Sequence, residues 1–492
     1  VIASRTLRRR ADFALLRWQA RLDGEWADRV LPWVVSAGLF VLLAALSLAR
    51  ARSFDTGVDL GTWVQGAWKL ERGIDPEITI TDRHLFEPQL ALGFAPLALV
   101  TRFVAPIPTL LVVQAAALAV AVVPLWRISR RMCDLRVGAS LAVLLAYAAF
   151  PAVHALNLDD FHPAALALPL LLTAAYTGLR GQRVWTLVLV VAIVLLRADL
   201  GLAVAALGVV MTIERRPRLG AALFVGGLAW TGLALFTVQH ELAGGFVHAE
   251  AYADFGDTAL GALWGMITSP ATVLGRIVAE ESFDLAVALL APVAFLPVLA
   301  ARYLFPILPP VALVLAADVP LGFEDGTERL VPVIAFILLA LPFALARIGR
   351  RSIERVLVDR RLLGALALAA LVFFVRDSPS SPYAEPWGWG SRDAADGVRL
   401  EVLERVGDDD AVRSVPSLLA ELAGRRRIEL LPDDPNTGVG DVGRGVDVAV
   451  WSEEETSSWT ELRRDAIVEG LADRGWTVEV SEPGVTFARR TG

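Results

Sequence analysis

Residues 54–88 read FDTGVDLGTWVQGAWKLERGIDPEITITDRHLFEP, and they follow an apolar run at about 31–50. A bilayer takes roughly 20 apolar residues to cross, so this polar stretch sits just beyond a membrane span. It holds seven carboxylates (Asp55, Asp59, Glu71, Asp75, Glu77, Asp82 and Glu87) against Lys69, Arg72 and Arg83, and it carries His84, one of five histidines. Trp63, Trp68 and Phe86 suit a membrane interface. A long polar loop on a membrane scaffold is a natural place for a site. It reads equally well as a solvated acidic loop, and the choice depends on whether other polar groups converge on it.

The rest of the chain agrees with a membrane scaffold. Of 492 residues, 55% are hydrophobic, and the mean hydropathy is +0.55. That is too apolar for an ordinary soluble protein. A single cysteine, Cys133, excludes a disulfide framework. Residues 1–30 are rich in arginine with no long apolar run, and read as a cytoplasmic N-terminal segment rather than a cleavable signal peptide. Further apolar runs lie at about 108–127, 137–156, 163–180, 218–238, 285–302, 304–320, 329–347 and 361–376. The run 184–213 is interrupted by Arg197-Ala198-Asp199 and predicts two short spans meeting at a polar turn.

Arginine clusters before the first span, at Arg127–Arg136, at Arg180 and Arg183, at Arg215–Arg218 and at Arg347–Arg361. Basic loops face the cytoplasm. All five share that face if 90–104 is an interfacial or re-entrant segment, and the count is then 11 spans. The expected fold is an all-α polytopic membrane domain over 31–376, in the plasma (inner) membrane, with its first outer loop at 51–89. The acidic loops 51–89, Asp159-Asp160, 239–284 and Asp318–Glu328 then lie outside, and so does the C-terminus. Residues 377–394 are rich in Pro, Gly and Ser and read as a linker. Residues 395–492 alternate helical and strand patterns and predict a small extracytoplasmic α/β domain. That domain has no glycine-rich phosphate loop and no metal-spaced His/Cys cluster.

Four polar groups reach the outer span ends: Asp55 and Asp59 with Asp82 and His84; Asp159, Asp160 and His162 in NLDDFHP; Arg197 with Asp199; and His240, Glu241, His248, Glu250 and Asp254. Ionisable groups at membrane depth cost about 2.5–3.5 kcal/mol each. Arg197 and Asp199 therefore either pair with each other or face a polar cavity, where an arginine suits a phosphate or carboxylate. Carboxylates in such a place can hold a divalent cation, Mg or Mn, with Asp59 and Asp160 as the expected ligands. A carboxylate can also take a proton from an attacking hydroxyl.

Several of these stretches carry a resemblance. FDTGVDLGTWVQGAW (54–68), DRHLFEP (82–88), PIPTLLVVQ (106–114), DFHPAALALP (160–169), RADLGL (197–202), FLPVLA (295–300), LFPILPP (304–310) and VRSVPSLLAELAGRRRIELLP (412–432) resemble the bacterial membrane family DUF2079 over about 50–490. The layout is also similar to the integral-membrane glycosyltransferases of type C (GT-C), which use polyprenyl-phosphate sugars. That second resemblance implies a catalytic or metal-linked Asp59 or Asp55 in the first outer loop. It implies a second acidic site at Asp159 and Asp160, and a lipid-phosphate clamp at Arg197. Asp82, His84, His162 and Asp199 join these as expected substrate-binding residues. The implied function is transfer of a sugar from a polyprenyl-phosphate lipid to a cell-envelope acceptor, among membrane lipids and with no nucleic acid. The rival readings are a lipid or glycan transporter or binding protein, and a catalytically inactive envelope scaffold.

Overall fold

The computed structural model of the protein describes residues 24–323, 326–351, 355–383, 390–481 and 484–491. Most of the expected N-terminal segment (1–23) and part of the expected linker (384–389) lie outside these residues.

The chain is mostly helical. Among the described residues, five helices are long and apolar enough to cross a membrane: Glu25–Arg52, Pro106–Met132, Pro217–Ala243, Leu296–Ala316 and Thr327–Ile348. The pair Val137–Ala148 and Pro151–Leu158, bent by 41°, makes a sixth if it is counted as one span. The first helix has Glu25 and Asp28 in its first turn and Arg50 and Arg52 in its last, charges that complement the helix dipole. Its 28 residues reach about 42 Å. Proline opens the helices at Pro106, Pro151 and Pro217, where its missing N–H costs no helical bond.

Against the eleven spans expected, the described residues hold five or six helices of spanning length, and the other expected spans fall on shorter helices. The 184–213 run is broken as expected, into Arg183–Val194 and Leu200–Ile213. The boundary expected between 302 and 304 is displaced: the break falls at Ala294 and Phe295, both at positive φ, and Leu296–Ala316 runs on past it. Arg360–Asp377 carries charges at both ends. Residues 95–100 form only a short helix, with Leu99 exposed on it and Phe103 exposed just after it.

The hairpin formed by Leu200–Ile213 and Pro217–Leu233 packs backbone on backbone. A Cβ at Gly208 would lie 2.6 Å from the Gly220 carbonyl oxygen, and one at Gly227 would lie 2.3 Å from that of Gly201. Small residues at such a seam let membrane helices approach closely. At the bundle end that carries Asp28, buried Arg130 donates to Asp28 (2.6 Å) and to the Leu135 carbonyl (2.7 Å), while Arg355 donates to the Arg130 carbonyl.

The opposite end is built differently. Phe54, Leu60, Trp63, Val64, Ile78, Leu85 and Phe94 share one hydrophobic core with Val412, Leu418, Leu419, Ile428, Val448 and Trp451 of the C-terminal region. That region holds a five-stranded sheet. Its order is Ile428–Leu430, Val412–Ser414, Val448–Ser452, Val485–Arg490, Trp476–Ser481; the first three strands are parallel and the last two antiparallel to their neighbours. The edge strand Ile428–Leu430 is met by Thr79. Its hydroxyl donates to the Ile428 carbonyl (2.6 Å) and accepts from the Ile428 N–H (3.0 Å), and Gln65 brackets Thr79 on its other side. An open sheet edge is thereby covered. Gly61 lets the Val58–Glu71 helix rest on the Leu419 backbone. The segment after Arg376 is likewise packed: Ser378 and Ser381 are buried, and Ser380 meets His154 Nδ1 at 2.9 Å.

Candidate functional site: an acidic histidine cluster beside an arginine-ended cavity

The Gln114 side chain clamps the turn 156–162. Gln114 donates to the carbonyls of Leu156 (2.9 Å) and Asp160 (2.6 Å), and accepts from the His162 N–H at 2.8 Å. Within this clamp the two adjacent aspartates part. Asp160 takes φ of +44°, a conformation tolerated by Asp more readily than by most residues. Its carboxylate turns to the start of the Val58–Glu71 helix. There it accepts from Gly57 N–H (3.0 Å to each oxygen) and Leu60 N–H (3.0 Å), with the Arg50 guanidinium 3.7 Å away. These are the free N–H groups that every helix start presents, and a carboxylate there is favoured by the dipole.

Asp159 turns the other way, to 3.5 Å from His162 Nε2, and Asp59 reaches the same nitrogen at 3.8 Å. His162 is only 2% exposed, and neither ring nitrogen has a hydrogen-bond partner. Burial works against its protonation, but Asp159, Asp59 and Glu328 outweigh that and push its pKa up to about 9. The Asp59 side chain is 59% exposed. Partial loss of water raises its pKa, with Asp160, Glu328 and Asp159 adding to the rise and His162 opposing it.

Asp159, His162 and Glu328 place their ligand atoms within 4.8 Å of one another and could hold a metal ion. The expected metal pair was Asp59 and Asp160. The structure differs, because the Asp160 carboxylate is already engaged by backbone donors. Glu328 lies in the 3-10 turn Thr327–Leu330. In the sequence it is one acid at the end of a mixed loop, and no motif marks it.

Glu328 also lines a cavity of about 550 Å3. One end of the cavity carries Arg83, Arg197, Asp199, His248 and Arg329. The remainder is mostly apolar, with Leu228, Phe236, Met266, Val311 and Val314 among its walls and Gln89, Thr231 and Tyr252 as its polar exceptions beside Glu328. Arg197 is bound bidentately by Asp199 at 2.5 and 2.8 Å and donates to the Glu328 carbonyl at 2.7 Å. Much of its donor capacity is thus used locally. Arg83 and Arg329 are more open, at 50% and 37% side-chain exposure. Burial lowers the His248 pKa; Asp199 opposes this, while the charges of Arg329, Arg197 and Arg83 lower it further. The cavity end is therefore a cationic field.

Other expected residues stand apart. Asp55 pairs with Arg50 at 3.2 Å. Asp82 is exposed at the turn of the small Glu77–Ile78/Arg83–His84 strand pair, and His84 meets Asp75 at 3.3 Å. Asp59 and Asp160 are not among the residues lining the large cavity. The acidic cluster and the cavity are joined instead through Glu328.

Comparison with known proteins adds the following. The family described as "Predicted membrane protein (DUF2079)" matches residues 50–485. No curated protein matches the chain. Among solved structures, the single-particle cryo-EM structure of the arabinofuranosyltransferase AftD from Mycobacteria matches with a TM-score of 0.48 and 16% identity, over 92% of this chain and 40% of that one. The chain thus spans about two fifths of the length of that protein, and no residue role is taken from it.

Proposed function

The chain belongs to the DUF2079 family of predicted membrane proteins, and from that premise we propose that it is a glycosyltransferase-like protein taking its sugar from a polyprenyl-phosphate lipid. The observation that carries this reading is the joining of two unlike halves. A cavity with apolar walls and an arginine-bearing end suits a long lipid with an anionic head. Beside it, through Glu328, lies an acidic cluster that includes a partly exposed carboxylate, Asp59. In the proposed reaction Asp59 removes the proton from an acceptor hydroxyl. The hydroxyl oxygen attacks the anomeric carbon, the bond from that carbon to the phosphate oxygen breaks with inversion, and polyprenyl phosphate leaves. Arg83 and Arg329 meet its negative charge, and Arg197, fixed by Asp199, adds to the field. A carboxylate whose pKa is raised is better matched to this task than one at its ordinary value. A divalent cation such as Mn is compatible with the acidic cluster.

We also propose the eleven-span topology in the plasma membrane, with the N-terminus cytoplasmic and the site, the 395–492 region and a cell-envelope acceptor on the outer face. The arginine clusters support it. A thiol at Ser457→Cys should react with an impermeant reagent in intact cells with permeable outer layers; protection until lysis would overturn the topology.

The activity is tested with purified protein, a labelled polyprenyl-phosphate sugar and membrane acceptors. Release of polyprenyl phosphate that depends on Asp59 supports the transferase reading. Movement of the intact lipid across vesicles with no bond broken would replace it with the transporter reading.

A further inference from the structure

We propose that Asp159, His162 and Glu328 bind one divalent first-row transition-metal ion, of the Mn or Zn type, with a fourth position left open beside Asp59. The proposal does not depend on the transferase reading.

Three observations carry it. The first is the geometry: ligand atoms of the three residues lie within 4.8 Å of one another. Two ligands at about 2.0–2.2 Å from a common ion stand no farther apart than about 4.4 Å, so small side-chain movements close the set.

The second is the state of His162. Its ring is 2% exposed, and both nitrogens lack a hydrogen-bond partner. Buried polar atoms nearly always have partners, and an exception calls for an explanation such as an ion. The Asp159 and Asp59 carboxylates stand at 3.5 and 3.8 Å from Nε2, at and beyond the limit of hydrogen-bond reach and close enough to share a bound cation with it.

The third is preorganisation. Gln114 holds the His162 backbone, and the Asp160 carboxylate ties the same turn to the start of the Asp59 helix. Ligands held by such outer contacts lose little freedom on binding. Asp59, 59% exposed, gives the ion a way in and a position where a water or substrate oxygen can exchange with it.

The ligand set selects the metal. One imidazole with two or three carboxylates suits Mn, Fe, Co or Zn, whereas Mg and Ca favour oxygen ligands alone. The acidic pair expected from the sequence favoured Mg or Mn; a histidine in the set moves the preference away from Mg.

The test uses the full chain in nanodiscs, stripped with a chelator. Mn2+ is titrated by the loss of its free EPR signal, and Zn2+ and Mg2+ are measured by competition. One ion per chain is expected, with Zn2+ competing and Mg2+ competing weakly. His162→Gln and Glu328→Gln should each weaken binding by at least about tenfold, and Asp82→Asn, in a turn that stands apart from the cluster, should not. If His162→Gln does not fold, Glu328→Gln and Asp159→Asn carry the same comparison. Absence of a tight site in folded wild-type protein overturns the proposal, with the imidazolium then neutralising the carboxylates. Unchanged affinity in the variants, or a preference for Mg2+, also overturns it. Because binding and not transfer is read, none of these results bears on the transferase reading.

Discussion

Asp159 and Asp160 are adjacent in the chain and opposite in circumstance. Asp160 has its carboxylate filled by the N–H groups of Gly57 and Leu60, with Arg50 behind them. Asp159 faces a buried histidine whose nitrogens are unfilled. The first carboxylate locks a helix to a turn. The second is left with capacity for something that is not protein. Across the cavity the difference is one of degree: Arg197 is closed upon Asp199, while Arg83 and Arg329 are more exposed and pair at longer range with Glu87 (3.9 Å) and Glu328 (3.4 Å). Satisfied polar groups build the frame, and unsatisfied ones mark where chemistry can be done.

The contrast can be broken at several points. Asp59→Asn should lower transfer roughly 10²–10⁴-fold, the range for a general base, with no loss of thermal stability. A fully active variant would remove Asp59 from the mechanism and make Asp55 the next candidate. Asp160→Ala should instead act on folding. It leaves the Gly57 and Leu60 N–H groups without their acceptor and Arg50 with Asp55 alone, at about 3 kcal/mol. Thermal unfolding in detergent checks this, and an unchanged midpoint would deny Asp160 its framing role.

Thr79→Val strips the Ile428 edge of both its side-chain bonds, at about 2 kcal/mol. Limited proteolysis should then release the C-terminal sheet more readily; an unchanged digest would mean that the shared apolar core suffices. Arg329→Gln should weaken binding of a short-chain polyprenyl phosphate by about tenfold, as expected for one charge-assisted hydrogen bond, while leaving stability alone.

The smallest effect concerns pH. His248 lies below its ordinary value near 6.5. A bound phosphate cancels part of the cationic field and lifts that value, so binding takes up protons. Affinity should be greatest below the free-state pKa and fall as pH rises through the bound-state pKa, a few-fold over about pH 5 to 8. His248→Gln should flatten the profile; if the slope persists in that variant, another group is titrating.

Much of this was legible in the chain itself. Apolar runs and arginine placement identify a multi-span membrane protein, because a bilayer rewards length and composition independently of what packs against what. The Arg197-Ala198-Asp199 interruption marks the break between Arg183–Val194 and Leu200–Ile213, since two charges do not sit in hydrocarbon unless they are turned aside. The strands near 412, 428, 448, 476 and 485 follow from alternation, a local signal.

What the tertiary structure alone decided is which polar groups meet. Side-chain direction at Asp159 and Asp160 turns on the sign of one φ angle, and that conformation is held by Gln114 from another helix and by helix N–H groups about a hundred residues away. Glu328 enters the cluster because the turn Thr327–Leu330 is brought against the 159–162 turn. Thr79 meets Ile428 across most of the chain. A sequence records which groups can form a hydrogen bond or an ion pair. Their partners are chosen by burial, since only when water is excluded does each donor and acceptor have to find another within the protein.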